Sequence, residues 1–251
     1  MNAKHYLKRL GIEKVDADFE SLKLLQKYHM TVIPFENLDI SRGKPIPLDL
    51  NKMYQKIIEN RRGGLCFELN PLFHWLLNQL GFKATMVTGT VAINEKMWGK
   101  ENTHLTTLVN LDDITYLTDV GFGNSSLTPL PLTGETIPDE SGFYRVIHDK
   151  QDRYMLQKEI DGKWSTQLQF TTSPRTFSFY QPLSDFIQTN PDSPFTNGPF
   201  ITIASKNGRT TLTADSLVRT NKEKKTVIDV KEHEWNNLYE ENFGRNHSSS
   251  M

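Results

Sequence analysis

The chain has 251 residues, enough to bury a substantial core as one large domain or two to three lobes, and its 29 basic against 30 acidic residues leave a formal net charge of −1. That balance supplies no global positive field to hold nucleic acid or an anionic membrane, and no run approaches the ~20 apolar residues of a membrane span. The opening MNAKHYLKRLG lacks the apolar core of a secretory signal, so the chain reads as soluble and cytoplasmic, and its single cysteine excludes an internal disulfide, a thiolate zinc site and a Cys-x-x-Cys redox pair.

The N-terminal third has helical periodicity. Phe19, Leu22, Leu25 and Tyr28 recur at helical spacing behind Asp16 and Asp18, and Leu50, Met53, Tyr54, Ile57 and Ile58 follow an Asp49 cap. The Pro-rich GKPIPLDL between them is a short connector. A third helix follows Cys66, because Leu69, Leu72, Phe73, Leu76, Leu77 and Leu80 form one apolar face before Gly81 stops it. Pro71 lies five residues after Cys66, which requires that helix to start nearer Glu68 or its first turn to be distorted. From Lys83 the period changes to two. KATMVTGTVAI, THLTTLVNL and ITYLTDV read as strands, the last two joined through Asp112-Asp113. FYRVIH, RYMLQKEI and KWSTQLQF continue the pattern, separated by HDKQD and by Asp161-Gly162, and suggest a small barrel or curled sheet. In the last third, Asn207-Gly208 within FITIASKNGRTTLTA favours a type I′ hairpin, LYEENFG reads as helix, and the tail HSSSM as disordered.

RRGGLCFELN contains the only thiol, Cys66, just past Gly63-Gly64 at a helix start. Unpaired backbone N–H groups and the positive end of the helix dipole favour a thiolate there and could bind a tetrahedral oxyanion. The glycines suit close backbone approach by a substrate. A thiolate nucleophile needs a base. His5, His29, His233 and His247 lie in polar or terminal contexts, His148 is in a predicted turn, and His74 is two helical turns from the thiol. That leaves His104 at the start of HLTTLVNL. A hairpin through Asp112-Asp113 brings Asp119, at the end of ITYLTD, to the same end of the sheet as His104. Cys66, His104 and Asp119 are then candidates for nucleophile, base and orienting acceptor, against a small buried thiol, a packed strand histidine and a turn aspartate.

RRGGLCFELN resembles the Arg-Gly-Gly-x-Cys-x-x-x-Asn signature of the arylamine N-acetyltransferases. PFENLD at positions 34–39, His104 in THLTTLV, DVGFG at 119–123, TNPDSPF at 189–195 and KNGRTTL at 206–212 are similar to further motifs of that family, in the same order over nearly the whole chain. The resemblance implies an α+β fold of three parts: an N-terminal helical bundle (1–82), a central β-barrel (83–172) and a C-terminal α/β lid (173–251), around a cysteine-protease-like or transglutaminase-like core. It implies a Cys66, His104, Asp119 triad that moves an acetyl group from acetyl-coenzyme A to small aromatic amines or hydrazines, with no metal and no permanently bound cofactor, as in xenobiotic metabolism by a monomer or homodimer. Glu36 and Arg62 look like a structural ion pair of the family. Phe35 and Phe122 are similar to its acceptor-pocket aromatics, Trp98 in EKMWGK to a residue bordering the mouth, and Ser193, Phe195 and Arg209 to coenzyme A contacts. Lys222, Lys224 and Lys225 read as a solvated loop. Two other readings fit the same residues: a cysteine peptidase or transglutaminase-like amidase using the same triad, and a binding module with an inert thiol.

Overall fold

In the computed structural model, residues 1–221 and 224–244 are described. Three of the N-terminal helices start on a capping side chain. α1 (Ala3–Leu10) starts on Asn2 and closes on Gly11 at φ 76°, left-handed backbone that glycine adopts freely. α2 (Phe19–Val32) starts on Asp18, whose carboxylate accepts the Ser21 N–H. The two-residue strand β1 (Phe35–Glu36) and the single turn α3 (Leu38–Ser41) follow. α4 (Leu50–Tyr54) is capped by Asp49 and runs directly into a π-helical turn, Gln55–Glu59. α5 (Cys66–Gln79) begins at Cys66 itself. Its first turn is tightened: the Leu65 carbonyl accepts from both Glu68 N and Leu69 N at 2.9 Å, and Pro71 follows inside the helix. Tyr6, Leu22, Leu25, Ile57, Leu69, Leu72, Phe73 and Leu76 meet in one core cluster, each fully buried side chain contributing about 1.5–3 kcal/mol.

His29 corrects an expectation. Instead of lying in a polar setting it is fully buried, its ring 5.9 Å from that of Tyr6 and 5.3 Å from that of Phe73. It follows Leu25 by four residues, so helical phase places it on the apolar face whatever its sequence neighbours are. Burial, with Arg9 nearby, pushes its imidazole down to about 3, and it is neutral.

The period-two segments form β2 (Lys83–Val91), β3 (His104–Leu111), β4 (Ile114–Thr118), β5 (Leu130–Pro131), β6 (Ile137–Asp139), β7 (Gly142–Lys150), β8 (Arg153–Ile160) and β9 (Lys163–Thr171). They are antiparallel, in the order β5-β4-β3-β2-β9-β8-β7-β6. The sheet curls until β5 meets β7, and Val87, Leu117, Tyr144, Leu156, Leu168 and Phe170 fill this nearly closed barrel. Asp112 and Asp113, at φ 49° and 63°, make the left-handed turn between β3 and β4. β7 extends through most of HDKQD, so the turn there narrows to Gln151-Asp152.

The remaining chain supplies a 3₁₀ turn (Phe177–Tyr180), α6 (Gln181–Thr189), β10 (Ile201–Ser205), β11 (Gly208–Leu212), β12 (Ser216–Asn221), β13 (Lys225–Asp229) and α7 (Trp235–Phe243). The sheet order is β1-β10-β11-β12-β13, so a strand from the helical region forms one edge of the lid. The β10–β11 hairpin differs from expectation in its turn. Ser205 pairs with Gly208, which leaves Lys206-Asn207 as the connection, and neither has the positive φ of a type I′ turn. Gly208 is needed for space, since a Cβ there would lie 1.8 Å from the Thr220 carbonyl oxygen. Lys224 and Lys225 are exposed; Lys222 and the tail 247–251 lie outside the described residues.

Candidate active site

Strand β1 and the loop before α5 build the entrance to α5 together. Gly64 N donates to the Pro34 carbonyl at 3.3 Å and the Gly64 carbonyl accepts Glu36 N at 3.0 Å. A Cβ on Gly63 would lie 2.1 Å from the Pro34 carbonyl oxygen, and one on Gly64 2.8 Å from a Glu68 carboxylate oxygen. The glycine pair is therefore required by packing of chain on chain. The ion pair joining these segments is a network: Arg62 bridges Glu36 and Asp39 at 2.6 Å each, and Lys56 bridges Asp39 and Glu68 at 2.8 Å. Lys56 comes from the π-helical turn. Glu68 returns to accept Leu65 N at 3.0 Å, fixing the first turn of α5 beside Cys66. Burial raises the Glu68 carboxyl despite Lys56, whereas the cations Lys56 and Arg62 outweigh burial and lower Asp39.

Cys66 is buried, 3% exposed, at the N-terminal residue of α5. His104 opens β3, and Asp119 directly follows β4. The β3–β4 register pairs Thr107 with Thr118, so Asp119 and His104 fall diagonally across the hairpin end. His104 Nε2 and Asp119 Oδ2 are 2.6 Å apart, the imidazole feels the Cys66 side chain electrostatically, and the thiol itself donates to the Thr103 carbonyl at 3.9 Å. Burial opposes a charge on His104, but the Asp119 carboxylate and the sulfur overcome it and raise its pKa to about 10. Asp119 is fully buried, which alone would raise its pKa. The neighbouring His104 charge and hydrogen bonds from His104, Asn70 and Gly121 reverse that and hold it below the usual carboxylate range.

Asn70 was not singled out from the sequence beyond its place in the motif. It lies one turn after Cys66, donates from Nδ2 to the Leu105 carbonyl at 2.6 Å and to Asp119 Oδ1 at 3.0 Å, and accepts Val120 N at 3.0 Å. One side chain thus ties α5 to both strands. Gly121 N also donates to Asp119 Oδ1, at 2.9 Å, and a Cβ on Gly121 would stand 2.7 Å from Cys66 Cα. The i, i+4 spacing of Cys66 and Asn70 on a helix was the available signal.

Of the other expected residues, Phe122 packs edge-on to His104 at 5.6 Å, and Phe35 meets Phe195 at 5.8 Å and Phe200 at 6.2 Å. Arg209 donates to Thr202 Oγ1 at 3.2 Å, and burial lowers its pKa to about 10. Ser193 is fully buried, its hydroxyl donated to the Ile187 carbonyl at 2.7 Å and accepting Phe195 N. Trp98 is 37% exposed in the β2–β3 loop, bridged to Ala92 beside exposed Ile93 and Met97.

A buried thiol, imidazole and carboxylate in series, carried by a helix start and the end of a barrel hairpin, give a core of cysteine-protease-like type. Comparison with known proteins narrows this to one family. Residues 18–248 match the N-acetyltransferase family. Human arylamine N-acetyltransferase 1 is 29% identical over 230 residues, covering 83% of this chain and 79% of that protein. Arylamine N-acetyltransferase C of Bacillus anthracis superposes with a TM-score of 0.90 at 28% identity, over 96% of this chain and 97% of that one. The NAT3 enzyme of Bacillus cereus, which has a Cys-His-Glu catalytic triad, superposes with a TM-score of 0.90 at 31% identity, over 97% and 99%. The chain belongs to the arylamine N-acetyltransferase family and is an acetyltransferase. That family uses acetyl-coenzyme A as its donor in general. Among the described residues no helix is long and apolar enough to cross a membrane.

Proposed function

We propose that Cys66 carries an acetyl group from acetyl-coenzyme A to aromatic amines or hydrazines in a ping-pong reaction, with His104 moving protons and Asp119 orienting it. The observation that carries this reading is the buried series Cys66, His104, Asp119, closed by the 2.6 Å contact between His104 and Asp119. In the first half-reaction the thiolate attacks the thioester carbonyl, and coenzyme A leaves with a proton from His104. In the second, the amine attacks the acetyl-cysteine, His104 accepts its proton, and the thiolate is released. Asp119 holds the imidazolium that both steps require.

The acceptor is received by Phe35 and Phe122, whose rings lie on the lid and imidazole sides of the site, and Trp98 borders the mouth. Phe195 and Arg209 are the coenzyme A contacts in this reading; Ser193 shapes the turn that presents Phe195. The units 1–82, 83–172 and 173–251 then divide the work into nucleophile, acid-base pair and lid, with Glu36 and Arg62 tying the first unit to the loop that carries Cys66. A thiol that must stay reduced to act suits the cytoplasm.

The test is acetyl loading. Acetyl-coenzyme A alone should add one acetyl group per chain, mapped by mass spectrometry to Cys66, and an arylamine should discharge it as the acetylated amine. Label found only on lysines, or undiminished transfer by Cys66→Ala, would refute the mechanism. Rapid hydrolysis without amine would favour a hydrolase.

A further inference from the structure

β13 (Lys225–Asp229) is the outer strand of the lid sheet, and all of its residues are exposed, Val227 by 56% and Ile228 by 40%. Natural proteins keep sheet edges short or interrupt them, because a row of free N–H and C=O groups recruits another strand. The other edges of the two sheets follow that rule: β1 and β5 have two residues each, and β6 has three with Pro138 in the middle. β13 has five residues and no proline. Its free groups can be assigned. Asn221 N donates to the Lys224 carbonyl at 2.9 Å and Val230 N to the Asp215 carbonyl at 2.8 Å, and the β12–β13 register between them runs without a break. Positions bonded to β12 therefore alternate through Lys224, Thr226, Ile228 and Val230, and the N–H and C=O groups of Lys225, Val227 and Asp229 point away from the sheet.

The charges on that edge are self-complementary. Lys225 and Asp229 stand at its two ends on the same face as Val227, and neither has an ion-pair partner among the described residues. A second copy laid antiparallel, Val227 opposite Val227, sets Lys225 of each copy against Asp229 of the other. In that register every outward-pointing residue meets an outward-pointing residue, so each opposed pair exchanges both of its hydrogen bonds. A slip by two residues breaks the charge pairs, and a parallel arrangement sets lysine beside lysine. We propose that β13 is a self-association edge, through which two copies of this chain pair about a two-fold axis at Val227 and join their five-stranded lid sheets into one. β1 is the opposite edge of each lid sheet, so the pairing leaves the strand beside the Cys66 loop untouched, and activity per chain is independent of it. An interface of two such strands falls in the small class, below about 1,200 Å², so the dimer is weak and forms as protein concentration rises.

Sedimentation velocity of the full chain, at concentrations up to about 1 mM so that even a Kd near that value is visible, should show the mean mass climbing toward that of a dimer. Lys225→Asp and Asp229→Lys each oppose like charges across the two-fold axis and should each weaken association by about 10-fold or more. An equimolar mixture of the two variants should recover it, because each then supplies the charge the other lacks. Val227→Pro removes an outward N–H while sparing the bonds to β12, and should abolish the dimer. Acetyl loading of Cys66 per chain should match wild type in every variant. In the wild type itself, the amides of Lys225, Val227 and Asp229 should exchange hydrogen more slowly as concentration rises. A wild type that stays monomeric throughout, or these amides exchanging at one rate at all concentrations, would overturn the proposal. So would a dimer that Val227→Pro leaves intact, or a mixture of the charge variants no more associated than either alone.

Discussion

Asp119→Asn has a determined geometry in this site. Asp119 Oδ1 accepts from both Asn70 Nδ2 and Gly121 N, so in the variant the amide oxygen must occupy that position. The amide NH₂ is then forced to the place of Oδ2, 2.6 Å from His104 Nε2. Two donors cannot face each other, so Nε2 becomes an acceptor and the proton of the neutral imidazole moves to Nδ1. The imidazolium loses its counter-charge in a fully buried site. Raising His104 from 6.5 to about 10 corresponds to about 5 kcal/mol at about 1.4 kcal/mol per unit, an order-of-magnitude figure. This sets a ceiling of about 10³- to 10⁴-fold on the loss of reactivity, comparable to the ~10⁴-fold effect of the same exchange in serine proteases. The assay is alkylation of the single thiol by iodoacetamide from pH 5 to 9, with acetyl loading followed in parallel. Wild type should alkylate readily at pH 6, and Asp119→Asn should be slowed by at least 10²-fold there. A folded variant reacting within threefold of wild type would refute the orienting role of Asp119.

Three further outcomes are expected. Gly121→Ala puts a Cβ 2.6 Å from Asn70 Nδ2 and 2.7 Å from Cys66 Cα, so it should destabilise by about 1–3 kcal/mol in denaturant titrations and slow acetyl loading at least 10-fold. Arg62→Met strands Glu36, which is 1% exposed, and should cost about 3 kcal/mol, read as a lower urea midpoint that Glu36→Gln in the same chain partly restores. The pH dependence of stability has two separable parts. His104 has a raised folded-state value, so its contribution is complete below pH ~6.5 and is lost as pH rises toward about 10. His29 has a lowered one, about 3, so stability is lost as pH falls from ~6.5 toward that value, where the unfolded chain binds a proton that the core excludes. His104→Gln should flatten the alkaline limb, and His29→Phe should make the protein more stable than wild type at pH 4 while leaving the alkaline limb in place.

Much of the site was legible because its parts are set by local rules. The change of period at Lys83 marks the passage from helices to barrel, and β8 starts and ends where its alternation does. Asp112 and Asp113, left-handed at φ 49° and 63°, fix the hairpin that carries His104 and Asp119 to one end, so this pairing followed from turn chemistry and register alone. Elements whose formation depends on distant partners were harder to read. α1 is eight residues long and gains its stability from Tyr6, Leu7 and Leu10 packing into the bundle. β1 is two residues, a strand only because β10 lies beside it. His29 read as polar because its neighbours are polar, and the helix turned it inward.

By itself, then, the sequence determined which thiol, imidazole and carboxylate are the candidates for the site, and the order of helical, barrel and lid segments, since single-thiol chemistry, hydrophobic period and turn type are written in near neighbours. Tertiary structure decided what links them. Asn70 spans from α5 to Leu105, Asp119 and Val120, Gly63 and Gly64 are glycines because other parts of the chain fill the space of a side chain, and the charges of Glu36, Asp39, Lys56, Arg62 and Glu68 close into one network. Those outcomes rest on which groups are buried together, and burial turns a hydrogen bond worth little in water into one that the fold cannot leave unmade.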